Sequence, residues 1–151
     1  MAKAGYTAST GAAVAVTTAK TILSVLAPAQ FGVDLRGFEL SADGATSTAV
    51  PVFWELCSLS GATAGTGTSG TINQEYGRAI TAGFTTLYNY TAEPTVLAAL
   101  YADYMPAFNG LVIRDFPFNG GPDNDVSKGF ALRVTAAATV NLRATFRFER
   151  C

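Results

Sequence analysis

The sequence contains no histidine. That removes the usual general base, the Ser/His/Asp and Cys/His nucleophile systems, and His-rich metal sites. Cysteine is almost as scarce, with only Cys57 and Cys151. Two cysteines do not make a disulfide framework. Cys57 follows an apolar run and reads as a small buried hydrophobe. Cys151 stands at the last position, and a bridge between the two stays open as an alternative. Charged residues are 14% of the chain, against about 25% in an average soluble domain. Ala, Thr, Ser and Gly fill their place. A surface so poor in charge fits either faces covered by neighbours or a plain Thr/Ser-rich β-surface.

Net charge is −1. No basic excess is present to neutralise phosphates, so no nucleic-acid partner is expected. No run of about 18 apolar residues exists, so no membrane span is expected either. Met1 to Tyr6 lacks the charged-then-apolar build of a secretion signal, and the apolar run Thr21 to Ala29 is too short and too far in. Strong helical periodicity is also missing. The one ambiguous stretch is Thr95 to Tyr104, where Val96, Ala99, Leu100 and Asp103 fit a helical stripe. It is expected to form one short helix or helical turn.

What is present is strand patterning. Over Ala138 to Cys151, Val140, Leu142, Ala144, Phe146 and Phe148 share one parity. Asn141, Arg143, Thr145, Arg147 and Glu149 share the other. A period of two over that length predicts a long strand with one dry face, stitched into a sheet. Gly129 to Thr135 alternates Phe130, Leu132 and Val134, and a turn at Ala136 to Ala138 predicts a C-terminal hairpin. Further strands are expected at Ala13–Val16, Thr21–Leu26, Gly32–Ser41, Ala49–Leu59, Thr81–Tyr90 and Leu111–Phe118. In Gly32–Ser41 the buried parity switches near Arg36-Gly37, which predicts a β-bulge. Asp43-Gly44 reads as a turn, and Gly61–Thr71 and Asn119–Ser127 as loops.

About eight strands at roughly ten-residue spacing, with at most one short helix, predict an all-β fold. The architecture implied is a two-sheet antiparallel sandwich, jelly-roll-like. The length fits a single domain over residues 13–151. Residues 1–12 are small and polar and read as an N-terminal arm, flexible or pairing only with a partner.

Motifs that would carry chemistry are weak. Gly65-Thr66-Gly67-Thr68-Ser69-Gly70 has the letters of a dinucleotide loop but opens no apolar helix, so it reads as a surface loop. Asp123-Asn124-Asp125 offers spaced oxygens without the distant bidentate Glu of a calcium loop, so it reads as a polar turn. Glu39 and Glu55 would fall on neighbouring strands, solvent-facing and paired with Arg36 or Arg143. No catalytic residue, cofactor or metal is expected, and the chain is not expected to be an enzyme. The aromatics Tyr88, Tyr90, Tyr101, Tyr104, Phe108, Phe116 and Phe118 cluster between residues 84 and 118. Aromatics are enriched in interface cores, although the same spacing also fits a sandwich core. The candidate interface residues are Tyr6, Tyr101, Tyr104, Phe108 and Phe116.

Five segments, in this order, carry a resemblance. They are Thr18-Ala19-Lys20-Thr21-Ile22-Leu23, Asp43-Gly44-Ala45-Thr46-Ser47-Thr48-Ala49-Val50-Pro51-Val52, Thr91-Ala92-Glu93-Pro94-Thr95, Arg114-Asp115-Phe116-Pro117, and Val134 to Leu142. From Thr18 onward the chain resembles small virion proteins of tailed phages. The resemblance implies a jelly-roll subunit that decorates and cements the capsid, often a homotrimer, with the major capsid protein as partner. It places the chain on the outer surface of the capsid, although some such proteins sit on the tail. The loop at 61–71 and the Asp123 loop depart from the family pattern. The rival reading is a carbohydrate-binding β-sandwich used in host attachment, with Tyr88, Tyr101 and Tyr104 as a stacking platform for sugars.

Overall fold

The structure, a computed structural model, describes residues 4–43 and 50–151. The Asp43-Gly44 turn therefore lies partly outside the described residues. The strands are β1 (Gly5–Ser9), β2 (Val14–Val16), β3 (Lys20–Leu26), β4 (Val33–Asp43), β5 (Val52–Ser60), β6 (Thr66–Ser69), β7 (Ile72–Tyr76), β8 (Thr85–Ala92), β9 (Leu97–Met105), β10 (Leu111–Asp115), β11 (Asp123–Asn124), β12 (Lys128–Thr135) and β13 (Val140–Arg150). One 3-10 turn, Gly61–Thr63, is the only helical element among the described residues.

One sheet runs β10-β4-β13-β1-β7 and the other β6-β8-β3-β12-β5-β9. Every pairing between them is antiparallel. Consider the eight strands β1, β3, β4, β5, β9, β10, β12 and β13 in chain order. The first sheet reads first, eighth, third, sixth. The second reads second, seventh, fourth, fifth. That is the strand order of a jelly roll, two Greek keys wrapped into a sandwich.

β13 takes the centre of the first sheet because its alternation leaves one face fully apolar. Val140, Leu142, Ala144, Phe146 and Phe148 are all buried. Opposite them, β12 presents Phe130, Leu132 and Val134, and β5 presents Trp54 and Leu56, in one continuous core. Trp54 meets Phe38 edge to face at 5.4 Å. The predicted bulge is present. β13 pairs Arg147 with Gly37 and then Phe148 with Leu35, so Arg36 is the extra residue.

Three expectations are corrected. Gly5–Ser9 is not an arm that pairs only with a partner: it lies between β13 and β7 of its own chain and buries Tyr6 and Ala8. Thr95 to Tyr104 is not helical: Leu97–Met105 forms the edge strand β9, because an eight-residue ladder with β5 outweighs the helical leaning of its alanines. Finally, β12 and β13 are not a hairpin. The turn between them carries the chain from one sheet to the other.

Residues 61–95 are an insertion into the jelly roll. The chain leaves β5, crosses to the far edge for β6, β7 and β8, and returns to the near edge for β9. The two crossings are tied by the Thr95 amide donating to the Thr63 carbonyl at 3.2 Å. Glu93 anchors the return. Its carboxylate accepts from the Thr21 amide at 2.9 Å and from the Thr21 hydroxyl at 2.6 Å. On the outer face of the second sheet Cys57, Leu59 and Ala131 are buried although they point away from the core, while Phe53, Glu55 and Arg133 stay partly exposed.

Candidate functional site

The outer face of the second sheet is buried only in part, at Cys57, Leu59 and Ala131. Three surfaces remain. The first is the outer face of the β10-β4-β13-β1-β7 sheet. It is polar over β4 and β13, whose wet-parity residues lie there, and apolar at its β10 margin, where Leu111 and Ile113 stand opposite Ser41 and Glu39. Ser9 and Thr145 share a hydrogen bond at 2.9 Å, and Arg147 pairs with Asp115 and lies 4.0 Å from Glu39. At the bulge, Arg36 reaches Glu149 at 3.7 Å and Asp34 at 3.9 Å. The Tyr76 hydroxyl donates to Glu149. Burial, and then this bond, push the Tyr76 phenol up to about 12. Around these groups is a cleft of about 230 Å³ lined by Arg36, Glu75, Tyr76, Asp115 and Arg147. Its charges are largely neutralised against one another, so the network ties β7, β13, β4 and β10 together.

The second surface is the side formed by β6 and β7. Its cleft, about 410 Å³, is lined by Ser69, Gly70, Ile72, Gly83 and Phe84. The Gly65 to Gly70 letters fall mostly on β6, which pairs with β8 and is followed by strand β7. This corrects the surface-loop reading.

The third surface is the opposite side, where both sheets end in open edges, β9 and β10. Among the described residues each pairs with one neighbour, β5 and β4 respectively. Leu100 and Phe108 are exposed on β9 and on its connection to β10, while Tyr104, opposite Phe53, faces out from the second sheet, and Leu111 and Ile113, opposite Ser41 and Glu39, face out from the first. Tyr104 stacks on Phe53 at 5.2 Å. Behind this surface Tyr101 and Phe116 meet at 5.6 Å, and the Arg114 guanidinium lies 4.2 Å from the Tyr101 ring.

Of the five candidate interface residues, only Tyr104 and Phe108 are exposed, and they lie on this side together. Tyr101 is half-buried. Tyr6 and Phe116 are corrected: both are buried within the chain. Tyr6 packs on Phe84 and Phe148, each at 6.0 Å. Leu100, Leu111 and Ile113 were missed. Their signal was the near absence of charge from Leu97 to Ile113, where Asp103 stands alone.

The proposed sugar platform is not assembled. Tyr88 is on β8 and Tyr104 on β9, four strands apart in one sheet, or about 19 Å. Glu39 and Glu55 are not neighbours either, since β4 and β5 belong to different sheets. Glu55 pairs with Arg133 at 2.8 Å, not with Arg36 or Arg143. The Asp123 turn contains the short strand β11. Asn124 donates to the Ser58 hydroxyl at 3.0 Å and to the Gly129 carbonyl at 2.6 Å. Cys57 and Cys151 are not bonded to each other, so the bridge is absent. Among the described residues no group of three His, Cys, Asp or Glu stands close enough to hold a metal. Nor is any helix long and apolar enough to cross a membrane.

No protein-family model and no curated protein matches the chain. Among solved structures, a chain of the T13 IBDV viral particle is similar, with 11% identity, a TM-score of 0.26, and 97% of this chain covered. A chain of the infectious bursal disease virus Gx strain has 12% identity, a TM-score of 0.15, and 98% of this chain covered. This chain spans 39% of the length of each. At such TM-scores neither fold nor function is taken from the likeness.

Proposed function

We propose that this chain is a non-enzymatic virion structural protein that decorates and cements a phage capsid. It sits on the outer surface as a homotrimer and contacts the major capsid protein. The observation that carries the reading is the β9–β10 side. Its two strands and their connection hold five exposed large apolar residues, spread over both outer faces of the sandwich, against three charged residues, Asp103, Arg114 and Asp115, which is a composition suited to macromolecular contact. The jelly roll supports it as a rigid scaffold, since capsid subunits are among the proteins built on this fold. Lectins use the fold as well, but the separation of Tyr88 from Tyr104 does not favour the glycan reading. The ordered resemblance to tailed-phage virion proteins supplies the partner class.

The test is to mix the purified protein with undecorated heads, sediment them, and image the particles. Saturable binding at fixed sites on the shell is expected. Failure to co-sediment, together with binding to host glycans, would overturn the reading.

A further inference from the structure

One tripeptide occurs twice in the chain, as Phe108-Asn109-Gly110 between β9 and β10 and as Phe118-Asn119-Gly120 between β10 and β11. Of all the asparagines, these two alone precede glycine. A glycine puts no side chain in the path of its own amide nitrogen, so that nitrogen can reach the carboxamide before it. We propose that Asn109 is a site of spontaneous deamidation in the folded protein, and that Asn119 is protected. The step needs only water and base. Base takes the proton of the Gly110 amide, and the nitrogen attacks Cγ of Asn109. A C–N bond forms, the bond from Cγ to the carboxamide nitrogen breaks, and ammonia leaves with a proton. The product is a cyclic imide. Water then opens it on one of two sides. Breaking the bond from Cγ to the Gly110 nitrogen gives aspartate. Breaking the bond from the main-chain carbonyl to that nitrogen gives isoaspartate, with the chain routed through the side chain.

Local sequence does not separate the two sites. Both phenylalanines and both asparagines are exposed. Both asparagines are left-handed, with φ of 52° and 58°, so they start from the same uncommon backbone conformation. The nucleophile differs. The Gly120 amide donates to the Pro117 carbonyl at 2.9 Å and is tied inside a turn. At Gly110 the ladder with β4 is half made. The Ala42 amide donates to the Gly110 carbonyl at 2.8 Å, and among the described residues nothing accepts from the Gly110 amide. Gly110 is buried and Gly120 exposed, so solvent access alone would favour Asn119. The hydrogen bond outweighs it, because a bonded amide gives up its proton only after the bond opens. Holding that bond slows Asn119 by about two- to tenfold. The fold also keeps the reactive neighbour of Asn109 in place, since a Cβ at Gly110 would collide with the Pro106 carbonyl oxygen. Conversion adds a carboxylate to the stretch from Leu97 to Ile113, whose one acid is Asp103. The isoaspartate product also lengthens the main chain just before Leu111 meets Ser41.

The experiment incubates the full chain at mildly alkaline pH, native and in urea, and follows each asparagine by peptide mass spectrometry. An isoaspartyl-specific methyltransferase identifies the rerouted product. In the native protein Asn109 is expected to convert about two- to tenfold faster than Asn119. In urea the identical tripeptides are expected to convert at closely similar rates. Equal or reversed native rates overturn the proposal. So does a native Asn109 that stays intact while the unfolded chain converts. A preference for Asn109 that survives in urea overturns it too, because the tertiary structure would then not be its cause. Hydrogen exchange gives an independent reading. The Gly110 amide is expected to exchange before the Gly120 amide, and the opposite order removes the physical basis of the proposal.

Discussion

The Tyr76 hydroxyl donates to Glu149 from two strands away, and the ring passes over Gly5 to do so. Gly5 pairs with Glu149 on one side and Tyr76 on the other. A Cβ at Gly5 would collide with the ring of Tyr76. Glycine is therefore required at this position by close approach, not by a special backbone conformation. Gly5→Ala is expected to displace the ring and leave Glu149 with one donor fewer, at a cost of about 1–2 kcal/mol in urea denaturation. The lower end applies because Tyr76 is half exposed. Tyr76→Phe should cost a similar amount. The double variant should cost little more than either single one, since both remove one contact. Additive losses would show that the contact is not shared.

The same bond gives stability a pH dependence. Burial and the Glu149 partner raise the Tyr76 phenol from 10.0 to about 12. Burial raises the Cys57 thiol from 9.0 to about 11. In both cases the folded chain holds its proton after the unfolded chain has lost it. The contribution is therefore complete below about pH 9 and is lost as pH rises to about 12. Denaturation curves taken at rising pH are expected to move steadily to lower denaturant across that window. Tyr76→Phe should flatten the upper part, and an unchanged slope in that variant would assign the effect elsewhere.

The two thiols differ sharply in access. Cys57 is buried and Cys151 is exposed. Thiolate is the reactive form, and burial suppresses it. A disulfide reagent near neutral pH should label Cys151 quickly in the native protein and Cys57 only after denaturant is added. Rapid native labelling of Cys57 would mean that the second sheet opens readily around β5.

Phe148 joins the insertion to the jelly roll. It lies 4.8 Å from Phe84, edge to face, and 6.0 Å from Tyr6. Phe148→Ala is expected to destabilise by about 3–5 kcal/mol through lost burial and the cavity left behind. A double-mutant cycle with Phe84→Ala should return a coupling of about 0.5–1.5 kcal/mol. No coupling would mean that the insertion docks independently of the core.

Removal of residues 1–9 should not be silent. It strips Tyr6 from the core and leaves β13 and β7 without their shared neighbour. Loss of a fully buried aromatic alone costs about 3–5 kcal/mol. A large fall in melting temperature is expected. A truncated chain that melts like the full one would restore the reading of this segment as an arm.

The strands that could be read from the chain were those with a strong alternation or a dense apolar run, such as Val140 to Phe148 and Val52 to Leu56. The bulge at Arg36 was equally legible, because an extra residue switches the buried parity. By contrast β1, β6 and β7 carry almost no local signal. Gly5–Ser9 buries only one large side chain, and Ile72–Tyr76 is mainly polar. They are strands because a neighbour offers backbone partners. The exposed apolar residues were half legible. Tyr104 and Phe108 were visible as aromatics, but Leu111 and Ile113 look like core residues until the register of β10 on β4 turns them outward and Val112 inward.

The sequence by itself determined the class of the fold. Period-two patterning fixes which face of each long strand must be dry, and that demands two sheets facing each other. It also determined the absence of histidine chemistry and the low charge. Only the tertiary structure decided which strands share a sheet, because a short turn such as Ala136 to Ala138 serves a hairpin and a crossing between sheets equally well. It also decided which apolar residues were left outside. Burial depends on how many neighbours flank a strand, and that number belongs to the topology rather than to the residues of the strand.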